Sequence, residues 1–221
     1  MITKISVNLP SASRHTWSGL KHSAYIMVRP FDGFWCSQRE KKGNAASATL
    51  VLGILIAVLI FSRQLTGFIF NYNDPRYLNI IGEIMSVMIP FMLWCIVNWS
   101  VTTLMDGEGT FRDIYITSAY SMGPMALLTF IQTIISNIVS IEEGGLLSLL
   151  SGFAIVWTGF LLFAGIMTIQ QYSIRKTIFT IIVDIVGMVA ILFLILLFFA
   201  LIQQTINFLF IFYTEITMRF R

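Results

Sequence analysis

Five apolar runs, separated only by short polar connectors, leave this chain very few ways to fold. They cover residues 45–70, 78–102, 114–139, 146–169 and 177–203. An α-helix needs about 20 apolar residues to cross the hydrocarbon core of a bilayer, and each run meets that length. The connectors, such as NYNDPR, MDGEGTFRD, SIEEGG and QYSIRK, carry charges and turn formers. Membrane-spanning strands would show alternating segments of about ten residues, whereas these runs are continuous. Lipid also offers no partners to backbone N–H and C=O groups, which a helix satisfies internally. With 57% hydrophobic and 11% charged residues, against roughly 25% charged in ordinary soluble domains, the chain has too little polar surface to be soluble. The expected fold class is therefore all-α: a polytopic membrane bundle of five transmembrane helices.

Ahead of the first run lies a polar segment, so the chain divides into an N-terminal segment, 1–43, and a transmembrane domain, 44–221. The first 22 residues lack the apolar core of a secretory signal, so the first span is expected to act as the targeting signal. Trp17, Leu20, Ala24 and Met27 recur at helical spacing, with Lys21 and Arg29 beside them. That pattern suits an interfacial helix on the membrane surface, or equally a helix packed against the chain's own spans. In RPFDGFW, Pro30 is expected to end that helix and Asp32-Gly33 to make a turn among aromatic anchors. Cys36 and Cys95 have no CxxC spacing and read as free thiols.

Lys and Arg are distributed unevenly about the spans. Seven precede the first run, and Arg112, Arg175 and Lys176 bring that side to ten. The other side has Arg63, Arg76, Arg219 and Arg221. By the positive-inside rule the N-terminus lies in the cytoplasm and the C-terminus outside. The last apolar run continues to Tyr213, so that 177–213 would measure about 55 Å as a helix. The expectation is one span continuing as an interfacial, aromatic-rich extension (Phe208, Phe210, Phe212, Tyr213).

The charge-dense stretch LMDGEGTFRDIY, from Leu104 to Tyr115, is the first candidate site. Thr110 and Asp113 fit a helix-capping box, and Gly107 and Gly109 are expected to supply the backbone freedom of a tight turn. Asp106, Glu108 and Asp113 could serve as oxygen ligands for a hard cation, but their spacing matches no EF-hand. Three carboxylates and the lack of GxxxxGK[ST] argue against phosphate. Asp106, Glu108 and Arg112 are left over as a candidate partner-docking surface. Inside the spans, Asp184 lies about 10 Å into the last run, where a carboxylate is costly and marks a functional candidate. Arg175, Lys176 or polar groups of a neighbouring helix are its expected partners. Glu83 stands near the outer end of its span. Ala119 and Gly123 form a small-xxx-small pair, and Pro90 and Pro124 are expected to kink their spans. His15 and His22 lack zinc-site spacing, and neither HExxH nor GxSxG occurs. No catalytic set, cofactor or metal is implied.

The run NWSVTTLMDGEGTFRDIYITSAYSMGP, with RPFDGFW before the first span and TEITMRFR at the end, resembles the bacterial branch of the Ypt-interacting-protein (YIP) domain family. Its G-x-G-TF-R-D loop is followed by Y-x-x-x-P, which makes Tyr120 and Pro124 candidate intramembrane functional residues beside Asp184 and Glu83. The resemblance implies a bundle of five helices with a cytosolic N-terminus and brings no catalytic residues. Eukaryotic members act in membrane traffic with small GTPases, a role that does not transfer to a prokaryotic cell. The expectation is a non-enzymatic protein of a bacterial plasma membrane, an accessory or scaffold subunit binding other integral membrane proteins such as a transporter. Besides these and the lipid bilayer, self-association stays open, and no nucleic acid is implied. The alternative is a small transporter or channel using Asp184 and Glu83.

Overall fold

A computed structural model describes residues 11–39, 43–71 and 79–219. Most of the NYNDPR connector falls outside these, as do Lys4, Lys41, Lys42, Arg76 and Arg221 of the charge count. The described residues form eight α-helices. They are α1 (Ser11–Val28), α2 (Pro30–Arg39), α3 (Ala45–Leu65), α4 (Ile80–Leu104), α5 (Phe111–Ser121), α6 (Gly123–Ile135), α7 (Gly144–Gln170) and α8 (Ile174–Arg219). Five segments are long and apolar enough to span a membrane, with α5 and α6 together making the third. The all-α, five-span architecture expected from the apolar runs is what the chain forms.

Local chemistry sets the boundaries. The Asn44 side chain accepts from the Ala46 amide and opens α3, while Asn79 does the same for α4 through the Gly82 amide at 3.0 Å. The first span is shorter than its apolar run, since α3 stops at Leu65 and 67–70 turn away. The two prolines behave differently. Helix α4 runs through Pro90 without a break. At Pro124 the third span divides: the Met122 amide tightens onto the Ala119 carbonyl at 3.2 Å, and α6 starts anew. Pro124 has no N–H to give the Tyr120 carbonyl, so the α5 ladder cannot continue through it.

Helices α3, α5, α6 and α7 pack together as the centre, and α4 pairs chiefly with α8 at its edge. Ile26, Phe34, Ala48, Leu52, Cys95, Ala119 and Tyr120 form the core where α1 and α2 meet these helices. Both N-terminal helices are thus packed against the spans, with Ser23 and Ile26 of α1 buried and Lys21, Tyr25, Val28 and Arg29 facing outward. Of the two readings open for α1, these contacts support packing against the chain's own spans, with Gly19, Ser23 and Ile26 as its buried residues among those described. RPFDGFW requires correction. Helix α1 does stop at Val28, just before Pro30, but Pro30 then opens α2 and Asp32-Gly33 is helical, not a turn. Proline suits the first helical position, where its missing N–H would be unsatisfied anyway, and Asp32 complements the helix's positive end.

The last apolar run is one uninterrupted helix of 46 residues, about 69 Å long. The span continues past residue 203 as the same helix, because nothing between Gly187 and Arg219 is a helix breaker. Thr177, Thr180 and Asp184 are buried, but from Leu192 to Glu215 every side chain is exposed.

Candidate functional site

One end of the bundle gathers the α4–α5 connection, the α7–α8 connection and the C-terminal end of α2. Thr110 and Asp113 form the expected capping box: the Asp113 amide donates to Thr110 Oγ1, and the Thr110 amide and hydroxyl both donate to Asp113 Oδ2. The turn itself is built differently from expectation. The left-handed residue is Asp106, at φ 54°, and neither glycine has a positive φ. A Cβ on Gly107 would collide with Gln170 Oε1 and Tyr172 Oη, and one on Gly109 would collide with Ile169 and Gln170. The glycines are therefore needed for close approach of α7, not for backbone freedom. The Gly109 amide donates to Gln170 Oε1 at 2.9 Å, and Gln38 Nε2 of α2 donates to the Ile169 carbonyl at 3.1 Å. Tyr172 donates toward the carbonyls of Met105 and Thr102, and Lys176 Nζ donates to the same Met105 carbonyl at 2.6 Å. Burial pushes the Tyr172 phenol above its ordinary range, so it stays a donor.

Of the three charges left over from capping, Glu108 faces Arg39 of α2 across 3.6 Å, with both side chains more than half exposed. Asp106 is exposed at the turn. Arg112 lines a cavity of about 280 Å³ together with Ser37, Gln38, Thr110, Asp113 and Thr117. These residues thus share a surface that α2 completes, a contribution invisible in the loop's own sequence.

Tyr120 lies fully buried at the centre of the core. Its hydroxyl shares a 2.8 Å hydrogen bond with Ser47 and accepts from the Asn44 amide, so it ties α5 to the start of α3. Gly123 receives α1 rather than another span, since a Cβ there would strike the end of Met27. Pro124 is buried at the α5–α6 break. Glu83 is held by Arg63 of α3 at 2.7 Å, an ion pair fastening α3 to α4 at the opposite end of the bundle. There the Gly67 amide also donates to Ser136 Oγ and Asn137 Nδ2 to the Leu65 carbonyl. A second cavity, about 500 Å³, opens at that end between α3, α6 and α7, lined by hydroxyls of Ser62, Thr66, Thr133, Ser148 and Ser151.

Asp184 pairs neither with Arg175 nor with Lys176. Its partner is Asn98 of α4, whose Nδ2 donates to Asp184 Oδ2 at 2.6 Å, with both residues fully buried. Lys176 instead lies over the Tyr172 ring, 4.1 Å from its centroid. Asn98 and Thr102 on α4, with Met105 at its C-cap, face Thr177, Thr180 and Asp184 on α8, each set at i, i+3/i+4, i+7 spacing. This makes a polar seam between two otherwise apolar helices. Sequence reasoning passed over Asn98, although a carboxamide inside an apolar run was signal enough, because polar side chains in spans seek one another. Arg39, Gln170 and Tyr172 had no such signal, since their roles depend on contacts distant in sequence.

Among the described residues, no three His, Cys, Asp or Glu side chains come together in a metal-binding arrangement. The Yip1 domain matches residues 24–202, most of the chain, starting within α1 and ending within α8. Comparison with curated proteins and with solved structures returned no match. A multi-pass helical membrane protein matched over that length belongs to the Yip1 domain family.

Proposed function

We propose that this protein is a non-enzymatic accessory or scaffold subunit that binds other integral membrane proteins, with a transport system as one such partner. The resemblance to the bacterial branch of the family implies a bacterial plasma membrane, and the charge bias favours the α2 end in the cytoplasm. The observation that carries the reading is the outer half of α8. The apolar run 177–213 contains 37 residues. Tilt is the usual answer to excess length, yet at about 40°, the top of the common range, a hydrocarbon core of about 30 Å takes up only roughly 26 residues. The rest is exposed apolar helix with nothing of this chain against it among the described residues, including Phe208, Phe210 and Phe212. Another membrane protein packed along it would supply the cover that neither lipid nor this bundle provides. The Asp106, Glu108 and Arg112 surface offers a second, polar point of attachment at the other end of the molecule.

Photo-crosslinking from Phe199 and Phe208, followed by mild-detergent purification from native membranes, tests this. The expected product is a discrete adduct with a second integral membrane protein. Adducts with lipid alone would overturn the reading, and adducts with the chain itself would replace it with a homo-oligomer. Reversing the charges of Glu108 and Arg112 is expected to weaken recovery of the same partner without affecting insertion.

The transporter or channel reading draws on the buried Asn98–Asp184 pair. It is weakened by placement: the pair lies between α4 and α8, whereas the larger polar cavity lies between α3, α6 and α7. Ion flux in proteoliposomes that is abolished by Asp184→Asn would restore it.

A further inference from the structure

The α4–α8 seam ends in a hydrogen-bonding mismatch. Asn98 and Asp184 are both fully buried and joined by a single contact, Asn98 Nδ2 to Asp184 Oδ2. That leaves Asn98 Oδ1 and Asp184 Oδ1, two buried oxygens without a hydrogen-bond partner among the described residues. If Asp184 were ionised, both would be acceptors lacking a donor, and the negative charge would have no counter-ion. An unpaired ionised carboxylate in an apolar interior is costly enough that such groups take up a proton instead.

Among the described residues, the surroundings offer no other donor or compensating charge. On α4, the Thr102 hydroxyl is committed to the Asn98 carbonyl at 2.7 Å. Cys95 turns toward Ser118 of α5, and Glu83 is held by Arg63 three helical turns or more away. On α8, the hydroxyls of Thr177 and Thr180 bond the Ser173 and Lys176 carbonyls. Lys176 is committed to the Met105 carbonyl two turns away, and Arg175 is exposed beyond it. Helix α7 carries no Asp, Glu, Lys, Arg or His at all. Tyr172, after α7, donates to the carbonyls of Thr102 and Met105. Asp106 is exposed at the turn beyond and could only add negative charge.

We propose that Asp184 is a proton-binding site: at neutral pH one proton on Asp184 Oδ1 is donated to Asn98 Oδ1, completing an acid–amide pair that latches α8 to α4. One proton satisfies both orphaned oxygens and removes the charge. A monovalent metal cation fits less well, since two free oxygens fall short of the six or so that hard cations gather. Loss of the proton sets a carboxylate against the amide oxygen. The latch is therefore intact on the acid side and weakens as pH rises through the titration of Asp184. Next to the pair, Gly187 meets Val97, where a Cβ would come within 2.8 Å, so the two helices approach closely beside the latch. This inference concerns α4 and α8 alone and stands or falls independently of what covers the outer half of α8.

Infrared spectroscopy of the full chain in lipid, with and without carboxyl-¹³C aspartate, reads the protonation state directly. At neutral pH we expect a protonated-carboxyl C=O band that shifts with the label and in D₂O and is lost completely in Asp184→Asn. Thermal unfolding supplies the second readout. The wild type should lose stability from neutral to mildly alkaline pH. Asp184→Asn, whose new amide supplies the missing donor permanently, should show a flatter profile. A labelled spectrum with only ionised aspartate at neutral pH, as a water-bridged carboxylate would give, overturns the proposal even if the variant fails to fold. So do parallel pH profiles for the two proteins.

Discussion

Helix α5, the first half of the third span, and helix α8, the last span, relate to the rest of the chain in opposite ways. In α5, Ile114 and everything from Ile116 to Ser121 is buried, including Thr117, Ser118 and Ser121. In α8, the most apolar segment of the protein, the 24 residues from Leu192 to Glu215 are all exposed where described. In water the greasier helix would be the buried one. In a membrane, lipid is as apolar as leucine, so hydrophobicity does not draw helices together; small and polar side chains do. The less apolar helix therefore becomes the centre, and the most apolar one is free to face lipid or another protein.

The sharpest way to break this comparison is to truncate a large side chain in each helix. Tyr120→Ala should cost about 2–4 kcal/mol, combining a cavity with lost hydrogen bonds to Ser47 and Asn44. Phe199→Ala in α8 should stay within about 0.5 kcal/mol. Equal losses in thermal unfolding of the detergent-solubilised protein would show that the outer part of α8 is packed by this chain after all. Next in size is the seam that holds α8 by its other end. Asn98→Leu alone should cost about 1–3 kcal/mol, because it strands the buried Asp184 carboxyl. Replacing both residues with Leu should recover most of that loss. If the double variant is as unstable as the single one, the seam contributes through shape and not through its hydrogen bonds.

Smaller effects probe the entry to α5. Thr110→Ala removes the capping hydroxyl and should cost about 1 kcal/mol, seen as earlier unfolding with the α7 contacts retained. Arg39→Ala should change stability by less than about 0.5 kcal/mol, since its pair with Glu108 is exposed and 3.6 Å long. A larger loss would mean that α2 is held to the loop more tightly than that one contact implies.

Much of this architecture was legible in the residues. Run length alone counts the spans, because a bilayer imposes one length on every crossing. The capping box at Thr110 and Asp113 was legible too, since its partners are three residues apart and need no tertiary context. The break at Pro124 follows from a missing N–H, although Pro90, equally lacking one, leaves α4 unbroken. The loop's glycines were misread for an instructive reason. A glycine can be selected for its dihedral freedom or for the space its side chain leaves, and the sequence looks identical in the two cases. Only Gln170, 61 residues from the Gly109 amide it accepts from, distinguishes them.

The sequence by itself determined what must be solved locally: five helical crossings, their caps, and one carboxyl too deep in a span to go without a partner. Local rules suffice there because backbone hydrogen bonds and the solvent each residue meets depend on near neighbours. Which groups meet was decided only by the tertiary structure. It chose Asn98 for Asp184, Arg39 for Glu108, Arg63 for Glu83 and α1 for Gly123. With lipid as the solvent, apolar patterning does not assign helix neighbours. That assignment rests on close packing and a few buried polar bonds, whose partners come from opposite parts of the chain.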